Sequence, residues 1–142
     1  MKAIKLLAMI FVASFIASVC AAAPTEMPAK YNLDNQLERV SEISKYSLIS
    51  WEKVDNQSFV LQTSPSDYYL IVLSNRCDRL LFSESIKITD TMGSVRPGFE
   101  NVIVRGNGFS GTSETCIIDK IYKFKDSKQV KEIEAQLSGK TK

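Results

Sequence analysis

Two cysteines beyond the N-terminal region, a scatter of acids and arginines, and no histidine at all bound the chemistry open to this 142-residue chain. Without histidine there is no Ser-His-Asp or Cys-His activation of a nucleophile, no histidine proton shuttle and none of the common zinc-hydrolase ligand sets. Catalysis by a carboxylate pair survives, because it needs only two acids flanking a bond. Asp67, Asp78, Glu84, Asp90, Glu100, Glu114 and Asp119 are available for it. Asp55, Asp67 and Asp90 stand where turns use Asp for local hydrogen bonds, and most acids on a small β domain are simply solvated. Gly106-Asn107-Gly108, within RGNGFSGTS, lacks the Lys-Ser/Thr and helix of a phosphate-cradling loop and reads as a hairpin connection. The expectation is no catalytic set, no metal ligands and no cofactor.

Binding is the better-supplied chemistry. Arg76, Arg79, Arg96 and Arg105 all fall at strand ends or in loops. Convergent, they would grip a carboxylate or phosphate; dispersed, they are solvated. Tyr68, Tyr69 and Phe109 offer rings, and Phe109 lies in a Gly/Ser/Asn loop where burial is not required. Arg96, Arg105 and Phe109 therefore mark the expected contact surface, made by the RGNGFSGTS loop together with the 90–100 loop, DTMGSVRPGFE.

The N-terminus bounds where such binding occurs. Lys2 and Lys5 flank a short basic start, residues 6–19 are uncharged and mostly apolar, and Ala21-Ala22-Ala23 precede Pro24. That order is a secretory signal peptide, expected as residues 1–22 with cleavage after Ala21 or Ala22. The apolar run falls short of the roughly 20 residues a spanning helix needs, so no membrane span is expected after cleavage. A retained anchor and lipidation of Cys20 are the alternatives, the latter opposed by the branched Val19 before it. Of 18 basic residues, Lys2 and Lys5 leave with the leader, so 16 face 16 acids in the mature chain. Neutrality and export both oppose nucleic acid as a partner. They leave an envelope or extracellular protein or glycan, met in the periplasm or after secretion. In an oxidising compartment Cys77 and Cys116 most simply form one disulfide. It would close a loop of about 40 residues, worth roughly 4 kcal/mol in the chain-entropy picture. Two free redox thiols are the rival reading, without a C-x-x-C pair to support it.

The elements that must position these residues are short. Residues 23–30 read as a tether, and Leu33, Leu37 and Val40 at i, i+4, i+7 allow one or two helical turns before residue 47. Residues 47–124 have β texture. Runs at 47–54 and 58–62 flank the turn Asp55-Asn56-Gln57, and Trp51 within the first is expected to pack in the core. YYLIVL at 68–73, with Leu70 and Val72, predicts a central strand covered on both faces. Shorter strands are expected at 86–89 and 102–105. Across 115–124 strict alternation places Cys116, Ile118, Tyr122 and Phe124 on one face, with Ile117, Asp119, Ile121 and Lys123 on the other. Residues 125–139 predict a helix capped by Asp126 or Ser127, with Gln129 at capping-box spacing, an apolar stripe of Val130, Ile133 and Leu137, and Gly139 past its end. The fold class is mainly β: a small barrel or rolled antiparallel sheet of about 5–7 strands with a C-terminal helix, an open sandwich being the alternative.

Several of these residues carry a likeness. Ser50-Trp51, Val54-Asp55, YYLIVL, Cys77 with Leu80, NVIVRG, and Cys116-Ile117-Ile118 leading to Ile121-Tyr122 resemble, in order and spacing, a family of small exported proteobacterial proteins, domain of unknown function 6491. The resemblance spans residues 47–124. It implies one β-rich exported domain with paired cysteines and carries no catalytic residues. The function expected is a non-enzymatic binding module, with an inhibitor of a secreted hydrolase as the alternative and a carboxylate-dependent hydrolase as a weaker third.

Overall fold

A computed structural model describes residues 26–44, 47–90, 93–106 and 111–139. Residues 1–22, expected as a leader and including Cys20, and Phe109 lie outside the described residues. Nine strands are described: β1 (Glu38–Val40), β2 (Ile43–Ser44), β3 (Ser50–Lys53), β4 (Ser58–Gln62), β5 (Tyr68–Leu73), β6 (Ile86–Ile88), β7 (Ser94–Val95), β8 (Asn101–Arg105) and β9 (Ser113–Lys123), followed by helix α1 (Ser127–Ser138). Seven form one curled, half-barrel sheet in the order β3-β4-β5-β9-β8-β6, with β1 also on β9; β2 and β7 pair separately. All the pairings are antiparallel.

Length explains why β9 organises the sheet. One edge of its C-terminal half pairs β5. The other edge pairs β8 along its first half and, where β8 has ended, β1 at residues 121–123. The sheet thus reaches back before residue 47, into the segment expected to be tether and helix. There the Leu33-to-Leu37 spacing closes a single turn, Leu37 N–H donating to the Leu33 carbonyl at 2.8 Å. Val40 belongs to β1 instead, because the free edge of β9 supplies the hydrogen bonds a lengthened helix would have made.

Curling gives the sheet an inner and an outer face, each with its own core. Inside lie Phe59, Leu61, Ile71, Leu73, Val102, Val104, Ile118 and Ile121 with the half-cystines. Outside, Leu70, Val72, Tyr122 and Phe124 meet Tyr31, Leu33 and Leu37 of the N-terminal segment and Val130, Ile133 and Leu137 of α1. The run YYLIVL is therefore covered on both faces, Leu70 and Val72 outward, Ile71 and Leu73 inward, all fully buried. Alternation along β9 breaks once: Ile71 pairs Ile121 but Leu73 pairs Ile118, so β9 holds one extra residue. That bulge moves Ile121 to the inner face with Cys116 and Ile118, and leaves Tyr122 and Phe124 outside. Strict period-two reading assigns Ile121 to the wrong face because a bulge reverses every side chain beyond it.

Trp51 is half-buried, because β3 is an edge strand; its ring meets Phe59 edge-on at 6.1 Å between centroids. A 3-10 helix (Asp78–Phe82) spans the gap in the curl and inserts the fully buried Leu80. Lys53 Nζ on β3 donates to the carbonyls of Leu81 and Ser83, while Ser83 Oγ donates to that of Arg105 on β8. The Cys77–Cys116 disulfide fixes the start of this bridge to β9. Helix α1 has the expected ends: Asp126 Oδ1 accepts from Gln129 N–H at 2.8 Å, and Gly139 takes φ 69°. Its three buried aliphatics supply about 1.5–3 kcal/mol each of burial, more than so short a helix gains by itself.

Candidate functional site

The turn that delivers the chain into β8 is built to expose a side chain. In Arg96-Pro97-Gly98-Phe99, Pro97 presets φ and Gly98 adopts φ 79°, a left-handed value that suits glycine at the third position of a type II turn. Phe99 N–H closes the turn on the Arg96 carbonyl at 3.4 Å. Its base is pinned: Gly98 N–H donates to the Ile118 carbonyl at 2.7 Å, and Ile118 N–H donates to that of Glu100 at 3.1 Å. Val95 before the turn is fully buried, and Glu100 after it is nearly so, accepting from Thr89 Oγ1.

On this base Phe99 is 76 % exposed, with the Arg96 guanidinium carbon 5.5 Å from its ring centroid. Arg96 Nε is shielded from solvent and has no hydrogen-bond partner among the described residues. Arg39, Val40, Ser41 and Pro97 line a groove of about 420 Å³ beside the turn. Ile117, next to the anchor Ile118 on β9, is 48 % exposed. A cation-on-ring pair on a pinned turn, beside a partly apolar groove, suits recognition, because a turn held in place gives oriented contact at less cost in lost freedom.

Two other clefts are better explained as seams. One of about 440 Å³ runs between β1, β9 and the start of α1. Two of its charges meet: Asp67 accepts from Ser64 Oγ at 2.6 Å and lies 3.2 Å from Lys123 Nζ, which together hold its carboxyl below the usual range. Gln129 donates to the Gln36 carbonyl and accepts from Lys125 N–H. The second, about 240 Å³, lies between Glu52-Lys53-Val54 and α1. Burial, then the nearby Glu52, pushes the Glu134 carboxyl up, with Lys131 opposing.

The arginines do not converge. Arg76 meets Asp78 at 3.5 Å and, with the Asn56 amide oxygen turned toward it, donates to that oxygen from Nε and Nη2 at 2.8 Å. Arg79 Nη1 donates to the Thr112 carbonyl, passing so close over Gly106 that a Cβ there would lie 2.5 Å from it. Arg96 precedes the start of β8 and Arg105 is its last residue, so a strand of about 14 Å separates them. Arg96 and Arg105 thus lie toward opposite ends of β8, while Phe109, the third residue of the expected surface, lies outside the described residues. Leu70, Val72 and Ile118 are core as expected. Among the acids proposed for catalysis, Asp67 is held by Lys123, Asp78 by Arg76, Glu100 accepts from Thr89 and Glu114 from Arg79 N–H.

Phe99 escaped sequence reasoning, which looked for exposed rings in glycine-rich loops. Its signal was the Pro-Gly pair immediately before it, which sets a turn tip. No curated protein and no solved structure matches the chain. A family match, by contrast, runs over residues 1–141, well beyond the 47–124 of the resemblance, taking in the segment before β3 and helix α1. With curled sheet, paired cysteines and this extent agreeing, the chain belongs to the family of unknown function DUF6491.

Proposed function

We propose that this is an exported, non-enzymatic binding module that engages a protein of the envelope or extracellular space through the Arg96–Phe99 turn. The observation that carries the reading is Phe99, 76 % exposed on a pinned turn under a guanidinium whose Nε lacks a partner among the described residues. Aromatic and arginine side chains are the residues most enriched at interface hot spots. The signal-like N-terminus and the disulfide support export, and no helix among the described residues is long and apolar enough to cross a membrane. The protruding turn also favours the second reading, inhibition of a secreted hydrolase by insertion into its cleft.

A photo-crosslinking amino acid at position 99, in the chain expressed with its own leader, tests the site. One protein captured at 99, competed away by the unlabelled chain and absent when the probe is moved to 105, is the expected result. Equal capture at both positions, or none at 99, removes the turn from the interface. Activity assays of the captured protein then separate inhibitor from assembly partner.

A further inference from the structure

We propose that the reduced chain carries a site for a thiophilic divalent cation, Zn²⁺ being the fitting case, made by Cys77, Cys116 and Glu114. The two sulfurs and one carboxylate oxygen all lie within 4.8 Å of one another. Strand geometry accounts for two of the three: Glu114 and Cys116 are two apart on β9 and share a face. Cys77 arrives from the opposite side, at the start of the 3-10 helix. Arg79 N–H donates to Glu114 Oε2 at 2.9 Å, holding the carboxylate toward the sulfurs as outer-shell donors orient metal ligands.

Two thiolates and a carboxylate form a ligand set that needs no histidine, and a fourth position remains for water. Tetrahedral Zn–S bonds of about 2.3 Å require sulfurs about 3.8 Å apart. With the cysteine Cα atoms 6.1 Å apart, rotation about either Cα–Cβ bond supplies that separation without moving a strand. Cys77 is fully buried and Cys116 is 8 % exposed, so the sulfurs sit in dry surroundings, and the partly exposed Glu114 marks the way in.

The two states exclude each other. In the disulfide each sulfur is bonded to the other and neither is a thiolate ligand. Passage from the metal form to the disulfide takes a two-electron oxidant of the disulfide class. The protein's two thiolates become its S–S bond, the oxidant's S–S bond becomes two thiolates, and the cation is released. The site is thus a reserve chemistry of the unoxidised fold, separate from the surface at Phe99.

The purified chain, reduced with a phosphine, desalted under argon and titrated with Co²⁺, tests this. One equivalent should bind with sulfur-to-cobalt charge-transfer absorption and tetrahedral ligand-field bands, Zn²⁺ should displace it, and the oxidised protein should take none. Glu114→Gln, which leaves both cysteines in place, should weaken binding at least about tenfold. Zn²⁺ should also slow reoxidation by glutathione disulfide. Circular dichroism keeps the outcomes distinct. A reduced, folded chain that takes no Co²⁺, or one that binds only on losing its strand signal, overturns the site. Unchanged affinity in Glu114→Gln overturns the three-ligand set.

Discussion

Asp55 and Arg96 are both charged groups set against an aromatic segment, and the fold treats them oppositely. Asp55 Oδ2 accepts from Lys30 Nζ at 2.7 Å and Tyr31 Oη at 2.8 Å; Oδ1 accepts from Gln57 N–H at 2.9 Å and Ser58 Oγ at 2.7 Å. Arg96 Nε has no partner among the described residues, and the ring it covers points to solvent. A buried donor left unmet costs about 1–3 kcal/mol. Folds tolerate such costs where the geometry serves something besides stability. The contrast assigns Asp55 to architecture, tying the N-terminal segment to the β3–β4 hairpin, and Arg96 to recognition.

Breaking the first half of the contrast should have the largest effect. Asp55→Ala strands four donors and should cost about 3 kcal/mol in urea denaturation, while leaving crosslinking at position 99 intact. Burial raises the Asp55 carboxyl, but the hydrogen bonds from Lys30, Gln57, Ser58 and Tyr31 together outweigh it and hold it below its ordinary value. A depressed folded value means that its stabilisation is present above the unfolded value near 4 and lost as pH falls through the folded one. Wild type should therefore lose stability on acidification below about pH 4 more steeply than Asp55→Asn. Parallel curves would mean that the clamp contributes little.

How far these roles were legible follows from their range in sequence. Asp55 announced itself as a turn former, and its Oδ1 bond to Gln57 N–H two residues on is that local property. Its bonds to Lys30 and Tyr31, 25 and 24 residues away, had no local signal. The same holds for β1 and β7: at three and two residues they are too short for periodicity, and they exist because β9 and β2 present open edges. YYLIVL and α1 were plain, since length and apolar spacing suffice for them. The β9 bulge was hidden because one inserted residue leaves composition unchanged while reversing the faces beyond it.

The second half of the contrast is tested at the turn. Phe99→Ala should leave stability within about 0.5 kcal/mol, as for other exposed positions. It should weaken partner binding at least tenfold, about 1.4 kcal/mol. Arg96→Met keeps the aliphatic cover on the ring and removes the unmet donor, so stability should stay level or rise by up to about 1 kcal/mol while binding falls. Either variant losing more than about 2 kcal/mol of stability would make the turn core rather than surface.

Glu134 gives the smallest effect and the sharpest control, because its Oε1 is also buried without a partner among the described residues. A carboxylate has an escape that a guanidinium lacks: it can shed its charge by taking up a proton. Burial, then Glu52, raises the folded Glu134 value above the ordinary 4.5. For an acid raised on folding, both states are protonated below the unfolded value and no penalty exists. The penalty enters as pH rises through the folded value and is constant above it. Glu134→Gln should therefore stabilise at pH 7, by roughly 0.5 kcal/mol once solvent screening of this half-buried group is allowed for, and match wild type near pH 4. Stabilisation that persists unchanged at acid pH would trace to packing in the β3–α1 cleft rather than charge. The expected pH dependence would place Glu134 with groups the fold relieves by protonation, leaving the shielded Nε of Arg96, without a hydrogen bond among the described residues, as the donor whose relief would come from a partner.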